Sequence, residues 1–165
     1  MSANDTVLVL TYKSVETMIE EGGCGHWKAN AQSLTSCRYV VATRNERRTG
    51  REGDEPHGAA FMVGEVSGVS QEQNGPRFVI QMRRFARLST PSEGAWQAGG
   101  TGGSNPVRYA RFRDLGISLK NLKWEPWPGQ VAEYVDQPLT MAQAKAGLAL
   151  TFGVAPEQIK ITIEG

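Results

Sequence analysis

The 165-residue sequence has little of what marks several large protein classes. Two cysteines, Cys24 and Cys37, are too few for a disulfide scaffold. One bridge between them is open, and two reduced thiols fit the composition better. No apolar run approaches the roughly 18 residues of a membrane span, and Val7–Leu10 is too short for a signal-peptide core. A cytoplasmic protein with no membrane partner is therefore expected. The net charge of +1 excludes a global field that draws the chain to polyanions, so any nucleic-acid contact has to come from local clusters of arginine. Hydrophobic content of 39% is enough to exclude a disordered chain, and a chain of this size fits one domain spanning residues 1–165.

Familiar catalytic signatures are missing too. Gly64-Glu65-Val66-Ser67-Gly68 is one position out of step with a nucleophile elbow. The glycines from Gly99 to Gly103 are not followed by the Lys-Ser/Thr of a P-loop; they read as a linker or as backbone that wraps a phosphate. Cys24, His26, Cys37 and His57 could in number supply four ligands to zinc, but the paired knuckle spacing is absent, so neither metal nor cofactor is expected.

What is present is a β-rich pattern. Val7–Tyr12 is a short apolar strand, and Ser14 caps a brief helix over Val15–Glu21 that Gly22-Gly23 stops. A second short helix or turn runs through Asn30–Leu34. Three strands carry the centre: Arg38–Thr43, Ala59–Val66 and Pro76–Leu88. In the last, alternation puts Phe78, Ile80, Met82, Ala86 and Leu88 on one face and Val79, Gln81, Arg83, Phe85 and Arg87 on the other. Asn74-Gly75 marks a hairpin turn before it. Ser89–Ser104 reads as a long Gly-rich loop centred on Trp96. Val107–Phe112 is a further strand, and Leu122–Trp127 a short extended piece. Thr140 and Gln143 form a capping box for a helix over Met141–Phe152 that ends at Gly153, and Ile159–Ile163 alternates like a final strand with one buried face.

Arginine and aromatic residues form the most suggestive set. Arg83, Arg84 and Arg87 crowd one strand; Arg108, Arg111 and Arg113 crowd the next. If those strands are neighbours, they present a guanidinium-rich face flanked by Tyr109 and Trp96, suited to phosphates and stacked bases. Equally, these arginines could solvate a sheet face and pair with the chain's 17 acidic residues. Trp27, followed by Lys28, suits a pocket lip or an amphipathic anchor at the core edge. His57 and Glu65 could serve proton transfer in one pocket, or be a loop-end polar group and an arginine's partner.

Three features together resemble the PUA-like group of small β-barrels that includes the EVE and ASCH domains: Trp27 before a strand, Tyr39–Asn45 followed after a polar loop by Gly58–Gly68, and a long strand with basic residues. The similarity covers Cys24–Leu88; the Gly-x-Lys-x-x-Glu-x-Arg pattern of ASCH domains is absent. It implies a β-rich barrel and recognition of RNA or of a modified DNA base in an aromatic-lined pocket; the N-terminal strand–helix and the C-terminal helix–strand are additions to it, so the fold expected is a mixed, β-rich α+β barrel with short peripheral helices and a C-terminal helix–strand. The resulting expectation is a module for nucleic acid or a nucleotide-like ligand. Trp27 and Trp96 would stack, Arg83, Arg84, Arg108 and Arg111 would hold phosphates, and Asn45 or Asn105 would read a polar edge, with Lys28, His57 and Tyr109 nearby. A small enzyme using His57 and Glu65, and a protein whose Gly-rich loop folds onto a partner, are the competing expectations.

Overall fold

The computed structural model describes residues 3–129 and 140–164. The chain divides into two compact units, Met1–Ala132 and Glu133–Gly165, each described by itself.

The first unit is built on one sheet, and the sequence dictates its centre. β1 (Thr6–Thr11) and β3 (Tyr39–Arg44) are β-branched or apolar at almost every position, as strands covered on both faces must be, and they pair in parallel from Thr6↔Tyr39 to Thr11↔Arg44. Between them the chain forms α1 (Val15–Glu20), β2 (Cys24–Trp27) and α2 (Ala31–Ser36). Ser14 Oγ accepts from Thr17 N–H at 3.1 Å and Asn30 Oδ1 from Ser33 N–H at 3.0 Å, so each short helix starts on a side-chain cap. β4 (Ala60–Gln71) and β5 (Phe78–Ser92) form the long hairpin that Asn74-Gly75 announces. A short helix α3 (Ala95–Ala98) and β6 (Val107–Ala110) follow, then 3-10 turns at Phe112–Asp114 and Leu119–Asn121 and a two-residue strand β7 (Glu125–Pro126). The order across the sheet is β2-β5-β4-β3-β1-β6, with β7 against β5; the β1–β3 pair alone is parallel, and the sheet curls into a half-barrel.

Two cores follow from that layout. Val7, Val9, Val40, Met62, Ile80 and Met82 pack with Met18 of α1, Leu34 of α2 and Trp127 on one side. Leu8, Val41 and Val63 pack with Trp96, Phe112 and Leu115 on the other. The mixed, strand-rich α+β class expected from the sequence is what the chain adopts.

Several details differ from the expectation, each for a local reason. β5 does not keep strict alternation: Glu65 pairs with Arg84 but Val66 with Met82, leaving Arg83 as an extra residue in the ladder. That bulge brings Phe85 to the same core as Ile80 and Met82, across the phase that alternation assigned it. Ser89–Ser104 is not one long loop. β5 runs on to Ser92, and Trp96 anchors α3 at 7% exposure, buried against the second core. β2, unforeseen, contains Trp27 and closes one edge of the sheet.

In the second unit, α4 spans Met141–Phe152 with its Thr140/Gln143 capping box and a left-handed Gly153 (φ 66°) at its end. Ile159–Ile163 is not a strand, and Ile163 is 82% exposed. Alternation alone cannot make a strand without a ladder partner, and among the described residues this unit has none to offer. No helix of the described residues is long and apolar enough to cross a membrane.

Candidate functional site

Because β1 and β3 are parallel, the chain leaves both at the same end of the sheet. Antiparallel pairing brings the starts of β4 and β6 to that end as well. The segments 45–59 and 99–106 therefore meet over it, and they frame a cleft of about 1270 Å³. A second hollow of about 390 Å³ adjoins it, sharing Leu10, Asn45, Arg48, Arg77 and Pro106 as lining residues.

The larger compartment is lined by Lys28, Arg47, Arg48, Arg77 and Arg108, with His57, Trp96, Asn30, Asn45 and Asn105, and by no aspartate or glutamate. The smaller holds Tyr12, Lys13, His26, Trp27 and one carboxylate, Glu72. Charge is thus segregated in a chain whose net balance is +1.

The segment 45–57 explains how. Its sequence alternates Arg47, Arg48 and Arg51 with Glu46, Glu52, Asp54 and Glu55, but two of the acids are turned away from the cleft. Glu52 accepts from Ser14 N–H at 2.6 Å, at the start of α1. Glu55 accepts from Arg44 Nε at 2.8 Å. Accepting the Ser14 N–H holds the Glu52 carboxyl below its usual range, so it stays ionised there. Backbone bonds from Asn45 N–H to Thr11 C=O (2.8 Å), Glu52 N–H to Tyr12 C=O (2.8 Å) and Gly58 N–H to Arg44 C=O (2.9 Å) stitch the segment to both strands.

Arg44 is the keystone of this rim. It is 1% exposed, donates to Glu55 and to the carbonyl of Lys13 (3.0 Å), and lies 4.1 Å over the Phe61 ring. Burying a guanidinium costs several kcal/mol unless its donors are satisfied and its charge paired, and here both conditions are met.

The Gly-rich segment is held by another arginine. Arg108 lies 4.0 Å over the Trp96 ring and donates to the carbonyls of Trp96 (3.0 Å), Gly100 (2.6 Å) and Gly102 (3.1 Å). Glycine is required where this segment starts: a Cβ on Gly99 would stand 2.8 Å from Arg108 Cβ and Leu8 Cδ1.

Of the residues singled out in the sequence, Trp27, Lys28, Asn45, His57, Trp96, Asn105 and Arg108 line this one cleft. Arg83, Arg84, Tyr109 and Arg111 do not. β5 and β6 are not neighbours, since β4, β3 and β1 lie between them, so no shared arginine face forms. Arg84 and Arg83 pair with Glu65, at 2.5 and 4.0 Å; Arg84 also lies 4.4 Å over Trp124. Arg111 pairs with Asp114 at 2.8 Å. Tyr109 packs against the first core, and burial raises its hydroxyl pKa. Glu65, committed to these arginines, does not line the cleft with His57. A separate hollow of about 330 Å³ beside Arg87 and Lys123 lies elsewhere on the unit, and its Arg87 is paired with Glu16.

Neither tryptophan presents a bare face. Trp27 is 7% exposed, and its Nε1–H is buried without a hydrogen-bond partner among the described residues. Arg108 already covers the ring of Trp96. Cys24 and Cys37 are buried free thiols, and burial pushes them up to about 12 and about 11. Among the described residues no group of three or more His, Cys, Asp or Glu side chains is placed to hold a metal ion.

Comparison with family models, curated proteins and solved structures finds no match.

Arg47, Arg48, Arg77, Tyr12 and Glu72 are among the lining residues not expected from the sequence, and His26, weighed there only as a zinc ligand, joins them. Arg47 and Arg48 stand among acids in the sequence, and Arg77 sits beyond a hairpin turn, far in sequence from the rest. The side chains of Lys28, Arg47, Asn45 and Asn105 have no hydrogen-bond or ion-pair partner among the described residues. Arg48 lies 5.0 Å over Tyr12, and Arg77 donates one bond, to the His26 carbonyl at 3.2 Å.

Proposed function

We propose that this cleft binds nucleic acid as a single strand or as an extruded nucleotide, with a run of phosphates in the larger compartment. One observation carries the reading: five cationic side chains and no carboxylate line a compartment of about 1270 Å³ in a chain of net charge +1. Like charges gathered in a concavity repel one another, and a polyanion relieves that repulsion while releasing its own counterions. The volume is well beyond what one phosphate needs, and suits a ligand that extends.

The roles divide by what each side chain is already doing. Lys28, Arg47, Arg48 and Arg77 meet phosphates. Arg108, spent on three carbonyls, keeps the Gly-rich rim in place. Asn45 and Asn105 carry unpartnered amides, which can donate to and accept from a base edge. Tyr12, half-exposed with Arg48 over its ring, is the aromatic best placed to meet a base, and Trp27 and Trp96 form walls. The similarity to PUA-like domains points to the same ligand class.

Fluorescence anisotropy with a labelled single-stranded oligonucleotide tests the reading. Binding is expected to weaken as salt rises, with a slope of log K against log salt near −3, from four phosphate contacts at about −0.7 each. Binding that ignores salt, or none at low salt, removes the proposal.

A further inference from the structure

We propose that the same cleft cleaves RNA, with His26 and His57 moving the two protons of an internal transphosphorylation. The inference rests on the nucleic-acid reading above and adds a reaction to it.

The chain has two histidines, and both line this cleft: His26 in the smaller compartment and His57 in the larger. Arg48 and Arg77 line both compartments, so cationic groups stand on the wall the two hollows share. A phosphate held there lies between the compartment that His26 lines and the one that His57 lines. That is the donor set phosphodiester cleavage needs: a base, an acid, and positive charge at the phosphorus.

The rings are also differently held. The Glu72 carboxylate meets His26 Nδ1, which leaves Nε2 as the nitrogen free to meet a substrate. Arg77 donates to the His26 carbonyl, tying one phosphate-binding group to the strand that carries the base. His57 sits at the other rim, just before Gly58, whose positive φ (81°) and close approach to Trp96 Cβ fix where the chain enters β4. The His57 Nδ1 is buried and has no hydrogen-bond partner in the protein. A buried polar atom left unpaired at a cleft wall is one a ligand can satisfy.

The step balances without a co-reactant. The ribose O2′ attacks the adjacent phosphorus, and His26 Nε2 takes its proton. The P–O5′ bond breaks, and His57 delivers a proton to the departing O5′. The products are a 2′,3′-cyclic phosphate and a 5′-hydroxyl end; solvent returns both histidines to their starting protonation. Arg48 and Arg77 stabilise the charge that gathers on the phosphoryl oxygens.

The test pairs an oligoribonucleotide with the same sequence as DNA, which lacks O2′ and reports binding alone. Full-length protein is incubated with each, anisotropy measures binding, and mass spectrometry reads the products. The RNA is expected to yield cyclic-phosphate and 5′-hydroxyl fragments while the DNA is bound and left whole. His26→Gln and His57→Gln, checked for folding by circular dichroism, should each slow cleavage by at least about 100-fold, the lower range for one general acid or base. That loss also separates the activity from a contaminating nuclease. DNA bound but RNA uncleaved, or cleavage unchanged in both variants, refutes the reaction and leaves the binding reading standing. If neither oligonucleotide binds, both fall.

Discussion

Arg44 shows how much of the cleft depends on one side chain that never touches it. Its guanidinium joins the end of β3, the carbonyl of Lys13 and the Glu55 carboxylate, so it fixes the segment that carries Arg47, Arg48 and His57. Arg44→Met keeps the volume but leaves Glu55, itself only partly exposed, without its cation. A loss of about 2 kcal/mol in urea unfolding is expected, because the carbonyls of Lys13 and Thr11 also lose the donor that reaches them in the interior. Arg44→Lys should rescue little of it, because a point charge cannot serve both the carboxylate and the carbonyls of a planar fork. Cys24 gives a second residue-level prediction. Burial raises its thiol from an ordinary value near 9 to about 12, so the unfolded chain ionises first as pH climbs. The stability this thiol contributes is intact below about pH 9 and is lost between there and about pH 12. Chemical denaturation across that range should show a decline that Cys24→Ala flattens.

Elements, more than residues, decide what could be read in advance. The Ser14 cap and the Thr140/Gln143 capping box were legible because each depends on neighbours within three or four positions, and the Asn30 cap of α2, read only as a helix or turn through Asn30–Leu34, is equally local. Asn30→Ala should therefore cost about 1 kcal/mol, visible as a lowered thermal midpoint, with α2 the element affected. β1, β3 and the β4–β5 hairpin were legible from their runs and from Asn74-Gly75. What hid was non-local. The bulge at Arg83 is set by pairing with β4, and β2 is a strand only because β5 offers it an edge. Trp96 read as the centre of a long Gly-rich loop, yet it is a buried residue of α3, since a Gly-rich context says nothing of the apolar surface Leu8 and Val63 present to it. Ile159–Ile163 failed in the opposite sense: it had the alternation and lacked a partner. The site was half visible for the same reason. Trp27, Lys28, Asn45, His57, Asn105 and Arg108 were found by type, whereas the arginine face across β5 and β6 required an adjacency that the strand order denies.

At the scale of the whole molecule, the informative quantity is where charge goes, because its sum is almost nil. Glu65, Glu16 and Asp114 are drawn to Arg84, Arg87 and Arg111 on other parts of the surface, and Glu52 and Glu55 turn back toward α1 and Arg44. The cleft is left with the cations. The Arg87–Glu16 and Arg111–Asp114 pairs, exposed on both sides, contribute about 0–1 kcal/mol each, so their loss should barely alter folding or binding. The most direct test compares two double variants in the same oligonucleotide titration: Arg48→Ala with Arg77→Ala in the cleft, and Arg83→Ala with Arg84→Ala outside it. The account predicts that the first weakens binding at least about tenfold and makes the salt slope shallower by about 1.4, two contacts at 0.7 each, while the second leaves both unchanged. Equal losses from the two pairs, or none from the cleft pair, would contradict it.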